Sequence, residues 1–394
     1  MSIAFGVDRL AADPRLLGNV RRVGLLTNDA ARLASDAQRH GRTALLDAGV
    51  PLVRLFSPEH GLSVRAPDGS AVNDGIDQLT GLPVVSLYGA SMAPPADSLA
   101  DLDCLLFDVP DVGARFYTYT WTLSYAIDAC AVARMPLVVL DRPNPLGGLF
   151  EHAEGPIVEA RHFSFVGRHS IPIRHSLTLG ELGRLWRAER SPSASVQIIT
   201  CEGWQREQMW PDTGLPYVAT SPAITSFDAA FFYPGLCLFE GTNLSVARGT
   251  ALSFQAVGAP WLAAEPVISR FRERGLPAAE LETVEFTPSI GPHKGVECRG
   301  VWIRTTDAQA FRPVLSGLAL LADIIAVHKE EFEWTLYRTV ANPEGRDHFE
   351  RIVGRGAIRE ELDTAAEKVS NELLRSWTAT PGWPERWRAV QQYE

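Results

Sequence analysis

No stretch of this sequence stays apolar for the roughly 18 to 20 residues that a membrane-spanning helix requires, which excludes a helical transmembrane segment. Positive charge is also in deficit. Lys and Arg number 37 against 47 Asp and Glu, for a formal charge of -10, and the basic residues form no block. A nucleic-acid partner held by phosphate neutralisation is therefore not expected. Cysteine is sparse: Cys104, Cys130, Cys201, Cys237 and Cys298 stand far apart, with no C-x-x-C pair and no zinc-type spacing with His, so buried free thiols are the expected state. The amino terminus shows no basic segment leading into an apolar run and a small-residue cleavage site, and on that ground a cytoplasmic protein is expected. Also missing are G-x-G-x-x-G after the first apolar run, a P-loop, a G-x-S-x-G elbow and H-E-x-x-H. Dinucleotide binding, nucleoside triphosphate binding, serine-hydrolase and zinc-protease chemistry all lose their usual signatures. No cofactor and no metal is expected.

What is present is an ordinary globular composition, 46% hydrophobic and 21% charged, over 394 residues, long enough for two domains or one large one. Short apolar runs recur through the first 145 residues, each ending in a polar cluster. Val23 to Thr27 leads into Asn28-Asp29, Leu52 to Ser57 into Pro58-Glu59-His60-Gly61, and Pro83 to Leu87 into Tyr88-Gly89. Cys104 to Phe107 leads into Asp108 and Asp111, and Pro136 to Leu140 into Asp141-Arg142-Pro143-Asn144-Pro145. Such runs, bounded by Gly and Pro and spaced widely enough for helices, predict a parallel sheet. Ligands of open parallel sheets sit outside the carboxyl ends of the strands, so these ionisable clusters are expected to share one rim and to meet a polar substrate.

Between the runs, Ala30 to Ala48 and Tyr117 to Ala133 read as helices, and Arg65 to Thr80, with Pro67-Asp68-Gly69 and Asn73-Asp74-Gly75, as a long turn-rich loop beside the rim. Thr178-Leu-Gly-Glu181 is a capping box that opens a helix, which weakens any catalytic claim for Glu181. Val196 to Thr200 is a further strand, and Met209 to Phe227 a Pro- and Thr-rich connection. From about Phe231 the texture changes to Gly-rich loops, strands at Glu282 to Phe286 and Gly300 to Arg304, and helices near Ala308 to His328 and Ala357 to Trp377. The expected division is residues 1–228, carrying the chemistry, and an α+β unit of residues 229–394 closing the pocket.

Several long motifs occur in order: Phe56-Ser-Pro-Glu-His-Gly61, Thr80-Gly-Leu-Pro-Val-Val-Ser-Leu-Tyr-Gly89, Phe107-Asp-Val-Pro-Asp-Val-Gly-Ala-Arg-Phe-Tyr-Thr-Tyr119, Leu140-Asp-Arg-Pro-Asn-Pro-Leu-Gly-Gly148, Ser164-Phe-Val-Gly167, Pro172-Ile-Arg-His175 and Leu238-Phe-Glu-Gly-Thr-Asn-Leu-Ser245. Together they resemble the NamZ-type exo-β-N-acetylmuramidase family. The resemblance implies a Rossmann-like amino-terminal domain with a mostly parallel sheet, a smaller α+β carboxyl-terminal domain, and release of N-acetylmuramic acid from the non-reducing end of peptidoglycan fragments. It makes Glu59 the leading catalytic candidate. The chain departs from the family's usual residues at Pro110, Ser176, Ala223-Ile224, where the family carries Asn-Met or Asn-Ile, and Val246-Ala247.

Glycoside hydrolysis ordinarily uses two carboxyl groups across the scissile bond. Glu59 is the expected acid; Asp111 and Glu240 compete for the second place, although Asp111 can equally cap the following helix. A lactyl carboxylate on muramic acid calls for a guanidinium, and Arg115, Arg142, Arg174 and Arg248 are the candidates, with structural ion pairs the alternative for each. His60 and His175 can bond a hydroxyl or serve as structural donors. Tyr117 can stack on a pyranose or belong to the core. Asn144 and Asn243 can bind hydroxyl or acetamido groups or stabilise their own turns. The alternative functions are a non-catalytic muropeptide- or sugar-binding protein and a related glycosidase with a different terminal sugar.

Overall fold

The apolar runs become strands β1 (Val23–Thr27), β2 (Leu52–Ser57), β3 (Gly75–Ile76), β4 (Pro83–Ser86), β5 (Cys104–Asp108), β6 (Leu137–Leu140) and β7 (Val196–Ile199) in a computed structural model that describes residues 2–89 and 91–394. They form one sheet in the order β3-β4-β2-β1-β5-β6-β7. Every neighbouring pair is parallel except the short β3 against β4. Without β3, the order reverses at β1 and matches the doubly wound arrangement of Rossmann-like sheets. β1, β5 and β6 are buried at every position, as strands covered on both faces must be. Alternation assigns the faces: Leu25, Leu55, Leu106 and Val138 point into one core, and Leu26, Phe56, Leu105 and Val139 into the other.

The second of those cores runs without a break into the carboxyl-terminal unit, where Phe231, Phe311, Leu318 and Phe349 belong to the same apolar cluster. That unit carries the antiparallel strands β8 (Ala256–Ala259), β9 (Ala279–Phe286) and β10 (Cys298–Thr305), in the order β8-β10-β9. Its two apolar helices, Phe227–Leu236 and Pro313–Val327, touch backbone to backbone at Gly235 and Gly317. A Cβ on Gly235 would stand 2.1 Å from the carbonyl oxygen of Pro313, so only glycine permits this crossing.

Three expectations change. Of Ala30 to Ala48 only Gly41–Asp47 is helical. The preceding residues are drawn into turns by the Asn28 side chain, which accepts from the Ala30 N–H at 3.0 Å, and by Asp8, which accepts from the N–H groups of Ala34 (3.0 Å) and Ser35 (3.1 Å). Such local bonds compete directly with helix formation. The helix expected over Ala357 to Trp377 is divided into Gly356–Ala365 and Asn371–Thr378, because Ser370 caps a new start by accepting from the Leu373 N–H. The helix over Ala308 to His328 is shorter, Pro313–Val327, with Pro313 in its first turn. The capping box forms as expected, and the second carboxylate oxygen of Glu181 pairs with buried Arg206, leaving Glu181 a structural residue.

Candidate active site

β2 ends on the Pro58-Glu59-His60-Gly61 turn, in which His60 and Gly61 both take positive φ, 64° and 69°. That reversal leaves the Glu59 side chain at the strand's carboxyl end, only 4% exposed, on the floor of a cavity of about 1030 Å³ including its mouth. The size suits a small-molecule site. Walls come from Tyr88 after β4, from Phe116 to Thr118 at the start of the helix Thr118–Ala133, and from Glu240, Arg248, Tyr337, His348 and Arg351 of the second unit. The turn-rich loop supplies Asp68.

Gly69 fixes that loop. Its N–H donates to Glu59 Oε1 at 2.9 Å, its carbonyl accepts from the Val340 N–H at 2.9 Å, and its φ is +65°. A Cβ here would lie 2.7 Å from both Cβ and Cγ2 of Thr339. Replacing Gly69 by Ala is therefore expected to cost about 1–2 kcal/mol through strain at positive φ. By moving the loop off Glu59 it should also lower turnover roughly tenfold, as small misplacements of reacting groups do. Thermal melts and turnover measured together check both effects; unchanged turnover would show that the loop does not position Glu59.

Ligating atoms of Glu59, His60 and Asp68 all lie within 4.8 Å of one another, and among the described residues this is the one such group able to hold a metal ion. His60 donates its Nδ1–H to the Ala66 carbonyl at 2.9 Å. The two carboxyl groups are pushed in opposite directions. Burial, then the negative charge of Asp68, raises Glu59 above the usual carboxylate range, against the opposing pull of His60, the Thr118 hydroxyl and the Gly69 N–H. Burial acts the same way on Asp68, but the Arg248 guanidinium and the Tyr337 hydroxyl outweigh it and hold Asp68 below its ordinary value. Arg248 Nη1 lies 3.5 Å from Asp68, and Tyr337 donates its hydroxyl to the same carboxylate. Asp68 still keeps 35% of its side chain accessible from the cavity. Paired carboxyl groups with diverging protonation are how a site assigns one acid and one anion.

Glu240 does reach the cavity, but its carboxylate is bound to Arg248, with His348 Nε2 3.7 Å away. Tyr117 sits at the cavity edge, donating its hydroxyl to the Thr220 carbonyl at 3.0 Å, edge-on to Tyr119 and Tyr233. Asp111 lies elsewhere: it accepts from the Gly113 N–H (3.1 Å) and the Thr120 hydroxyl (3.3 Å) and lines a second, smaller cavity with Arg142. It ties the loop before the helix Thr118–Ala133 to Thr120 without capping that helix, whose N-cap is Tyr117 with no side-chain cap bond.

Three of the four arginines singled out for a carboxylate are likewise off the cavity. Arg115, fully buried, donates to the carbonyls of Pro156 (2.6 Å), Ile171 (3.1 Å) and Ile352. Arg142 pairs with Asp108 at 2.7 Å, and Arg174 donates to the Leu146 carbonyl at 2.7 Å. His175 is buried 3.4 Å from Asp111. Asn144 bridges the Leu177 carbonyl and the Leu146 N–H, both at 2.9 Å, and Asn243 holds the 331–333 segment through Glu331 and Glu333. Asp68, Tyr88, Tyr337, His348 and Arg351 were not singled out from sequence. Asp68 carried a signal as a turn residue of the loop beside the rim, and Tyr88 as the polar residue following a rim strand.

Comparison with known proteins gives consistent matches along the chain. The family model described as "Exo-beta-N-acetylmuramidase NamZ, N-terminal" matches residues 23–228, and its C-terminal counterpart matches residues 231–382. Peptidoglycan beta-N-acetylmuramidase NamZ of Bacillus subtilis (strain 168) is 36% identical over 368 residues, covering 93% of this chain and 86% of that protein. Two crystal structures of DUF1343 family proteins from Bacteroides fragilis superpose with TM-scores of 0.87 and 0.77, each at 28% identity and covering 100% of this chain and 99% of the other.

Proposed function

The chain belongs to the exo-β-N-acetylmuramidase NamZ family, and on that premise we propose that it is a glycoside hydrolase releasing N-acetylmuramic acid from the non-reducing end of peptidoglycan fragments. The observation that carries the chemistry is the pair Glu59 and Asp68 at the cavity floor, one carboxyl raised and the other lowered. Glu59 gives its proton to the glycosidic oxygen as the C1–O bond breaks. Asp68, ionised, stabilises the positive charge that develops at C1, either by bonding to it or by orienting the sugar's own acetamido oxygen to do so. Water then attacks C1 and returns a proton to Glu59. A separation within 4.8 Å is shorter than the roughly 6.5–9.5 Å that leaves room for water in inverting enzymes, and supports retention of configuration. Residues 1–228 supply both carboxyl groups and residues 229–394 close the cavity over the sugar.

A second reading, hydrolysis of a related terminal sugar, draws on Ala223, which lines the cavity where family members carry Asn. Incubation with a chromogenic N-acetyl-β-muramide and, in parallel, the matching N-acetyl-β-glucosaminide separates the two. Cleavage of the muramide alone is the expected result, cleavage of the glucosaminide alone selects the second reading, and cleavage of neither overturns both. Pro110, Ser176 and Val246-Ala247 contribute nothing to the main cavity's lining, so the departures that favour a non-catalytic descendant do not remove its polar groups. No helix among the described residues is long and apolar enough to cross a membrane. All five cysteines are buried and unpaired, which suits a reducing compartment, and we extend the proposal to recycling of cell-wall fragments in the cytoplasm. Fractionation that found the protein outside the cytoplasmic membrane would overturn that extension.

A further inference from the structure

We propose that Arg351 holds the lactyl carboxylate of the terminal sugar and thereby sets the preference for muramic acid over glucosamine; the inference rests on the hydrolase reading above. Among the described residues, two arginines line the cavity, Arg248 and Arg351, and no lysine does. Arg248 is already committed. It is bound by Glu240, it stands 3.5 Å from Asp68, and its guanidinium lies over the Phe254 ring at 5.1 Å. A carboxylate arriving there would meet two others.

Arg351 is in the opposite condition. Its side chain makes no ion pair or hydrogen bond among the described residues, and the residue is partly exposed and lines the cavity. Glu350, the acid beside it in sequence, is bound instead by Arg359 at 2.5 Å. Asp68 and Glu240 both stand against Arg248, so among the described residues of the cavity lining Arg351 is the guanidinium left uncommitted. A planar guanidinium binds a carboxylate through two parallel N–H bonds, whereas a glucosamine residue offers it no anion.

The helix His348–Val353 that carries Arg351 is firmly placed. Arg115 donates from the first unit's core to the Ile352 carbonyl, and Phe349, Ile352 and Val353 are buried in the shared apolar cluster. His348, three residues earlier and so on the same side of the helix, stacks on Tyr337 at 4.1 Å and 14° and has a buried Nε2 without a hydrogen-bond partner. The helix thus offers the cavity a fixed cation and an unsatisfied imidazole, which neither Glu59 nor Asp68 uses.

The test compares wild type, Arg351→Met and Arg351→Lys on the chromogenic muramide and glucosaminide. A carboxylate held equally before and during the reaction contributes uniform binding, so KM for the muramide should rise roughly 10- to 100-fold in Arg351→Met with kcat little changed. The Lys variant should recover part of the loss, and any glucosaminide turnover should be unaffected. An unchanged muramide KM, or equal losses on both substrates, would overturn the assignment. Calorimetric binding of free N-acetylmuramic acid and N-acetylglucosamine to wild type and Arg351→Met supplies an independent reading: the preference should vanish in the variant, and its persistence would overturn the role. A wild-type chain that turned over neither glycoside would overturn the hydrolase reading instead, and the ratio of sugar affinities would then decide the arginine's role by itself.

Discussion

Glu59→Gln is expected to lose roughly 10²- to 10⁴-fold in kcat while still binding the terminal sugar, the range over which a positioned proton donor acts. Glutamine keeps the carbonyl oxygen that accepts from the Gly69 N–H at 2.9 Å, so the loop carrying Asp68 should stay in place and the fold should be undisturbed. The loss should also depend on the leaving group. A nitrophenolate departs with little help from a proton, whereas a sugar alkoxide does not, so the deficit should be much larger on a natural disaccharide than on the chromogenic muramide. Kinetics on both substrates, with a melt to confirm folding, test the point. Equal losses on the two would indicate a displaced site rather than a missing acid, and unchanged turnover would remove Glu59 from the mechanism.

How far the sequence exposes this site depends on what local chemistry can reveal. β1, β5 and β6 were legible because strands buried on both faces must be continuously apolar, and Glu59 because it follows such a strand within a sharp Pro-to-Gly turn. Asp68 was legible only as a turn residue, and it is one: the Ser70 N–H donates to the Pro67 carbonyl across it. That its side chain also reaches Glu59 follows from the docking of Gly69 on Thr339 and Val340, some 270 residues away in sequence, which no local pattern encodes. The arginines mislead for a related reason. Arg115 and Arg174 occur in the ordered motifs, yet both lie inside the core, where each donates to backbone carbonyl oxygen and burial pushes Arg115 down to about 9 and Arg174 to about 10. Arg351 sits on a six-residue helix too short to show a period.

Asp68→Asn tests the coupling between the two carboxyl groups more sharply than either loss alone. Turnover requires Glu59 protonated and Asp68 ionised, so activity should fall on the acid side as Asp68 takes up a proton and on the alkaline side as Glu59 gives one up. Burial and the charge of Asp68 both raise Glu59. Removing that charge leaves burial in place but eases ionisation of Glu59, so the alkaline limb should move to lower pH. The acid limb should disappear, because asparagine does not titrate. The kcat itself should drop by roughly 10²- to 10³-fold, the cost of removing one electrostatic stabiliser from a low-dielectric site. The fold should tolerate the change, since Arg248 keeps Glu240 as a partner and is not left as an unpaired buried charge. A pH–rate profile of wild type and variant decides the matter: an acid limb that survives in Asp68→Asn belongs to another group, and an alkaline limb that does not move would mean that Asp68 and Glu59 do not sense one another during turnover.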